Sequence, residues 1–198
     1  MVFLRFNKMV FRFVLPFCLF SMVWAGPLPQ VSSGAQQAAQ EYELKAVYLY
    51  NFLQFVQWPE SRRTLPKDGP VVVCIIGESP FGEALEALQA NVRKSGMRPV
   101  RVINYGAYQE DVTIAACHLL FVTSSEKKNF RKIIAGLRDA PVLTVADTEN
   151  FLSSGGMINL VHSNGKIRWT INRSAADRAG LRLSAQLLSI AVKVIEAP

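Results

Sequence analysis

Between Val71 and Val145 the chain alternates short β-branched apolar runs with longer segments of helical period, and this alternation narrows the fold more than any other feature. Val71 to Ile76 is an unbroken apolar run. A strand with one wet face alternates apolar and polar residues, so an unbroken run marks a strand covered on both faces. Val100 to Ile103, His118 to Thr123 and Val142 to Val145 repeat the pattern, with helix candidates from Pro80 to Lys94 and from Ser125 to Leu137 between them. Strands separated by about a dozen helix-forming residues are read as parallel neighbours joined by crossover helices.

The last quarter of the chain breaks that rhythm. Met157 to Val161 and Ile167 to Ile171 flank an Asn164-Gly165 pair, and Asn-Gly between apolar runs predicts a two-stranded antiparallel ribbon at the sheet edge. From Ser174 to Ile195 the spacing of Leu181, Leu183, Leu187, Ile190, Ala191 and Val194 predicts helix, with Gly180 dividing a short helix from a longer one. Ahead of the strands, Leu44, Val47, Tyr48, Asn51, Phe52 and Phe55 recur at helical spacing between Ala39 and Trp58, and Pro59 closes the segment. The expected fold is α/β: one three-layer domain over 38–198, with a mainly parallel sheet, an antiparallel edge hairpin and flanking N- and C-terminal helices.

Two segments precede that domain. Arg5, Lys8 and Arg12 lead into an apolar run from Phe13 to Trp24, and Val23-Trp24-Ala25 resembles a small-residue cleavage site, so 1–25 is expected to be a signal peptide. The run rises only about 18 Å as a helix, whereas a bilayer core needs roughly 20 residues. Cys18 is spaced like a lipoprotein signal, but Pro16 and Phe17 stand where small residues belong. Residues 26–37, with two prolines among small polar residues, are expected to form a flexible leader without fixed structure. Cleavage near Ala25 removes three basic residues and no acidic one, so the net charge of +7 falls to +4. With no clustered basic face and no nucleic-acid-reading element, the chain is not expected to bind nucleic acid.

Export changes the meaning of the remaining cysteines. Cys74 and Cys117 form the only pair in the processed chain, and an oxidising compartment favours a disulfide between neighbouring strands. The alternative is two buried thiols, since both lie in apolar strand-like runs. A bridge over that span would contribute about 4 kcal/mol on the loop-entropy model.

Catalytic signals are sparse. His118 and His162 are the only histidines, and neither sits in a metal-ligand spacing. His118 adjoins Cys117, but adjacent strand residues point to opposite faces. Ser153-Ser154-Gly155-Gly156 lacks the spacing of a phosphate loop and is read as a turn. No enzyme activity, metal or cofactor is expected. Arg62, Arg63, Arg168 and Arg173, together with His162 ahead of the hairpin turn, are the candidates for contact with a ligand or partner, because guanidinium grips carboxylate or phosphate through paired donors. Trp58, Tyr48, Tyr50 and Phe55 invite a partner-surface reading, in which Phe55 is expected in the core and Tyr50 points away from the main apolar face.

The segments KAVYLYNFLQFVQWPE at 45–60, VVVCIIGESPFGEALEAL at 71–88 and CHLLFVTSSE at 117–126, continued from Pro141 to Val194, resemble the YfiR family, also described as the DUF4154 domain. The resemblance spans essentially the whole processed domain. It implies a periplasmic α/β protein able to form a homodimer, which binds the periplasmic region of an inner-membrane diguanylate cyclase, restrains it and so lowers cyclic-di-GMP signalling. It also implies relief of the restraint by an outer-membrane lipoprotein. Cys74 and Cys117 match the strand cysteines that form a bridge in the family's regulator, while its later cysteine pair has no counterpart at 145–156. The alternative expectation is a periplasmic small-molecule sensor or binding protein using the sheet crevice and the Arg168 region.

Overall fold

The apolar run at 71–76 becomes a central strand in which every residue is buried. The computed structural model describes residues 33–59, 69–110, 114, 116–137 and 140–196. The expected signal segment, most of the leader, Arg62 and Arg63 lie outside the described residues. The chain runs through α1 (Ser33–Gln54), β1 (Val56–Gln57), β2 (Val71–Ile76), α2 (Ala84–Lys94), β3 (Val100–Asn104) and β4 (Leu119–Val122). It continues through α3 (Phe130–Gly136), β5 (Leu143–Ala146), β6 (Ile158–Ser163), β7 (Lys166–Asn172), α4 (Arg173–Arg178), β8 (Arg182–Leu183), α5 (Ala185–Ser189) and β9 (Lys193–Ile195).

One sheet has the order β3-β2-β4-β5-β6-β7-β9. Its first five strands are parallel, β7 is antiparallel to β6, and β9 is parallel to β7. The hairpin turns on Asn164 (φ 52°) and Gly165 (φ 69°), the left-handed pair that a two-residue turn requires. Side chains of β2 alternate between the faces. Val71, Val73 and Ile75 join the core beneath α1 and α2, whereas Val72, Cys74 and Ile76 meet Phe130 and Ile133 around α3. The chain is thus a single α/β domain with a mixed, mostly parallel sheet, an antiparallel edge pair and flanking N- and C-terminal helices.

Three local expectations change. Helix α1 begins at Ser33, inside the stretch expected to lack structure before Ala38. The prolines end at Pro29, and the following Ala, Gln and Glu residues favour helix even though residues 34–40 are exposed. The buried face of α1 is also rotated from the expected one. Ala46, Leu49, Tyr50, Phe52 and Leu53 are buried, whereas Leu44 and Val47 are each 43% exposed and Asn51 is exposed. The true stripe contains Lys45, a charge that disguises it. Tyr50 accordingly belongs to the core, with its hydroxyl donating to the Arg98 carbonyl at 3.2 Å.

The C-terminal segment is the third change. Asn172 caps α4, its side-chain oxygen accepting from the Ala175 N–H at 3.0 Å. The helix then stops at Gly180 (φ 71°), and no long helix follows. Instead β8 pairs with β1, α5 makes little more than a turn, and β9 extends the sheet along β7. The β-branched Val192, Val194 and Ile195 favour that extended ending over helix.

Candidate functional site

In an open parallel sheet, ligands commonly sit beyond the carboxyl ends of the strands, where the strand order reverses. Here the reversal lies between β2 and β4, and the chain's own side chains fill it. Gly77 has φ 98°, and a Cβ at that position would collide with Thr123 Oγ1 and Ser125 Oγ. Its N–H donates to the Gly106 carbonyl at 2.6 Å, while the Glu78 N–H donates to Ser125 Oγ at 2.9 Å. The buried Glu126 carboxylate accepts from the Tyr108 N–H at 3.0 Å and Asn129 Nδ2 at 2.7 Å. Gly77, Glu78, Thr123, Ser125 and Glu126 are thus all engaged with one another or with their neighbours at this junction.

The open crevice lies further along the same edge, where the chain leaves β5. It encloses about 450 Å³ between Asp147–Glu149, the protruding end of β6 and the overlying helix α1. Lys45 on α1 is only 4% exposed. Its ammonium lies 2.6 Å from Asp147 Oδ2 and 2.5 Å from Glu41 Oε1, one helical turn earlier. The Tyr42 hydroxyl donates to the same Asp147 oxygen at 2.9 Å, and the ammonium stands 4.2 Å from the Tyr42 ring centroid. His162 Nε2 lies 3.1 Å from Glu41 Oε1 and completes the rim.

Burial and charge oppose one another in this cluster. Desolvation pushes the Lys45 pKa down, yet its bonds to Asp147 and Glu41 outweigh that and hold it above its ordinary value. Burial raises the Glu41 carboxyl, but Lys45 and His162 overcome it and the group stays lower than usual. The Tyr42 phenol is pushed up to about 12 by burial, then by the negative charge of Asp147 and the hydrogen bond to it. The result is a charged latch between α1 and the sheet, bordering a polar crevice of a size suited to a small molecule.

Of the described residues singled out from the sequence, only His162 lines this crevice. Arg168, on β7 beside Val161 of the crevice wall, instead donates to the Ile190 carbonyl at 2.9 Å. Arg173 lies 3.6 Å from Asp177 and 3.5 Å from Glu196. Cys74 and Cys117 are joined as a disulfide with Cα atoms 5.9 Å apart, within the core that carries α3. His118 turns the other way: Nδ1 accepts from the Val72 N–H at 2.9 Å, and its ring packs edge-on against Trp58. Sequence reasoning missed Glu41, Tyr42, Lys45 and Asp147. Two signals were available: the four-residue Glu41–Lys45 spacing, and an aspartate placed directly after a buried parallel strand.

Among the described residues no group of three His, Cys, Asp or Glu side chains could hold a metal ion, and no helix is long and apolar enough to cross a membrane. Fold and crevice define an α/β domain with a polar pocket beneath its N-terminal helix. The chain belongs to the YfiR/HmsC-like family, DUF4154, whose model matches residues 42–192. Members of that family are periplasmic. A search of curated proteins finds no match. Among solved structures, a conserved domain protein from Vibrio cholerae O1 biovar El Tor strain N16961 is similar, with TM-score 0.54 and 11% identity, covering 78% of this chain and 60% of that one. An ABC domain from Streptococcus pneumonia in complex with L-Trp is similar with TM-score 0.47 and 13% identity, covering 67% of this chain and 57% of that one. This chain therefore spans about three fifths of the length of each, and the first of them supports the likeness of fold alone.

Proposed function

We propose that the protein is an exported regulatory binding protein that senses a small polar molecule in the crevice beneath α1. The observation that carries this reading is the latch itself. The roof helix is tied to the carboxyl end of β5 through Lys45 and Asp147, so a ligand that competes for Asp147, Glu41 or His162 alters the hold on α1. Such a ligand acts only through its different affinity for the latched and released arrangements. Export relies on cleavage near Ala25, which would deliver the domain to an oxidising compartment where the Cys74–Cys117 bridge persists.

A second reading follows from family membership. The protein would bind the periplasmic region of an inner-membrane diguanylate cyclase and restrain it, with an outer-membrane lipoprotein sequestering it and a homodimer as its working form. The outward stripe of α1 supports a partner surface, since Leu44 and Val47 stand exposed on the helix that the latch controls. The two readings join if the ligand sets the position of α1 and α1 meets the partner.

One paired experiment separates them. The purified protein is immobilised, exposed to detergent extracts of native membranes, and in parallel titrated with dialysed and undialysed periplasmic small-molecule extract. Saturable binding of a dialysable component, weakened at least tenfold by Asp147→Asn, is the outcome expected for the sensor. Recovery of a diguanylate cyclase from the membrane extract is the outcome expected for the restraining role. Failure to bind any dialysable component sinks the sensor reading.

A further inference from the structure

A second cavity lies on the other face of the sheet, and neither the crevice nor the family assignment accounts for it. It is a hollow of about 570 Å³ between α3 and α4, closed on one side by Ser153–Gly155. Its floor is apolar, with Ile134 and Leu137 from the α3 side, Met157 before β6 and Ala175 on α4. Arg131 and Arg178 stand at its rim. No acidic side chain is among its described lining residues. We propose that this hollow binds a small amphipathic anion, an acyl or aryl body ending in a carboxylate or phosphate head.

The grip does not come from the glycine-rich turn. The Gly155 N–H donates to the Leu152 carbonyl at 3.0 Å and the Gly156 N–H to the Phe151 carbonyl at 3.0 Å, so those amides are engaged. The Ser153 and Ser154 hydroxyls both donate to the Asn150 carbonyl. Gly156 is required for packing, because a Cβ there would strike the Phe151 ring. What the turn supplies is a fixed wall.

Donors elsewhere give the hollow its selectivity. Thr144 on β5 is 1% exposed and lies in the lining; its hydroxyl oxygen accepts from the Met157 N–H at 3.1 Å, and its own proton meets no acceptor among the described residues. Arg131 makes no hydrogen bond or ion pair with any described residue, and it stands at the rim beside Arg178. Guanidinium groups bind carboxylate and phosphate through paired, charge-assisted hydrogen bonds. The Arg131 guanidinium and a buried hydroxyl donor around a greasy floor suit a ligand that brings acceptors at one end and hydrocarbon at the other. The volume falls within the range of small-molecule sites.

Calorimetric titration of the purified protein with octanoate, octyl phosphate, 1-octanol and inorganic phosphate tests both halves of the site. Octanoate or octyl phosphate is expected to bind saturably, at least tenfold more tightly than either 1-octanol or inorganic phosphate, and whichever of the two is tighter identifies the head group. Arg131→Gln, an exposed substitution with little influence on folding, should weaken the tighter ligand about tenfold. Ala179→Leu should narrow the hollow and abolish binding. If that variant fails to fold, Arg131→Gln and the comparison of charged with neutral octyl ligands still decide the matter. Equal affinity for octanoate and 1-octanol, equal affinity for octanoate and inorganic phosphate, an unaffected Arg131→Gln variant, or no saturable binding by either octyl anion would each overturn the proposal.

Discussion

On the face that carries α1, the helix is fastened to the carboxyl end of β5 by Lys45, Asp147 and Glu41; on the face that carries α3, β2 is stitched to the start of β4 by Cys74 and Cys117. The first fastening is ionic and borders an open crevice, whereas the second is covalent and buried in an apolar core. An ionic latch responds to protons and to competing charged ligands. A buried disulfide in an oxidising compartment responds to neither. On the proposed sensing role, α1 is the element whose position a ligand would change, and the α3 face is the frame against which it would move.

The sharpest way to break that comparison is to cut the latch. In Asp147→Ala, buried Lys45 keeps Glu41 but loses its inter-element partner. Breaking a buried pair costs about 3–5 kcal/mol, and the remaining Glu41 holds the loss to the lower end, about 3 kcal/mol. Urea unfolding at neutral pH should record a loss of that size. The pair Lys45→Met with Asp147→Leu should recover most of it, because both ions leave together and their desolvation cost disappears. A loss below about 1 kcal/mol in Asp147→Ala would mean that the latch holds nothing.

Removing the bridge is expected to have a comparable effect. Cys74→Ala with Cys117→Ala should lower stability by about 2–4 kcal/mol through the freer unfolded chain. Amide exchange along α1 should keep its order relative to the rest of the domain. If α1 exchanges faster than the α3 face loosens, the two fastenings are coupled and the division between frame and moving element fails.

The sequence displayed the frame more clearly than the latch, for a physical reason. Parallel strands buried on both faces produce unbroken runs such as 71–76, and the Asn164-Gly165 turn has a narrow conformational requirement, so both are local signals. Even the bridge follows from one cysteine in β2 and another just before the neighbouring β4. The latch is non-local: Lys45 and Asp147 are about a hundred residues apart in sequence, and a lysine on a helix ordinarily marks the wet face. That expectation turned the apolar stripe of α1 toward Leu44 and Val47. At the other end of the chain, residues 181–195 carry apolar spacing compatible with helix, and only pairing with β7 and β1 settles them as strands and a short turn.

The finest comparison between the faces is their response to pH, and its sign follows from the shifted groups of the latch. Glu41 titrates below its ordinary 4.5 in the folded protein, so its contribution is present above that value and is lost as pH falls through the folded pKa. Lys45 titrates above its ordinary 10.5, so its contribution is complete below that pH and is lost as pH rises through the folded pKa. Tyr42 acts in the same alkaline direction: the unfolded phenol ionises near 10.0 and the folded one near about 12, so folding becomes less favourable through that window. These groups predict a plateau between roughly pH 5 and 10 with a decline on either side. The bridge carries no titrating group and contributes no such slope. Urea midpoints measured across pH 4–11 should therefore flatten at both ends in the Lys45→Met, Asp147→Leu pair, while the cysteine double variant keeps the parental shape at lower stability. Tyr42→Phe should relieve part of the alkaline decline alone. A latch-deleted variant with the parental pH profile would show that the titrating contacts lie elsewhere, and α1 would lose its claim to be the responsive element.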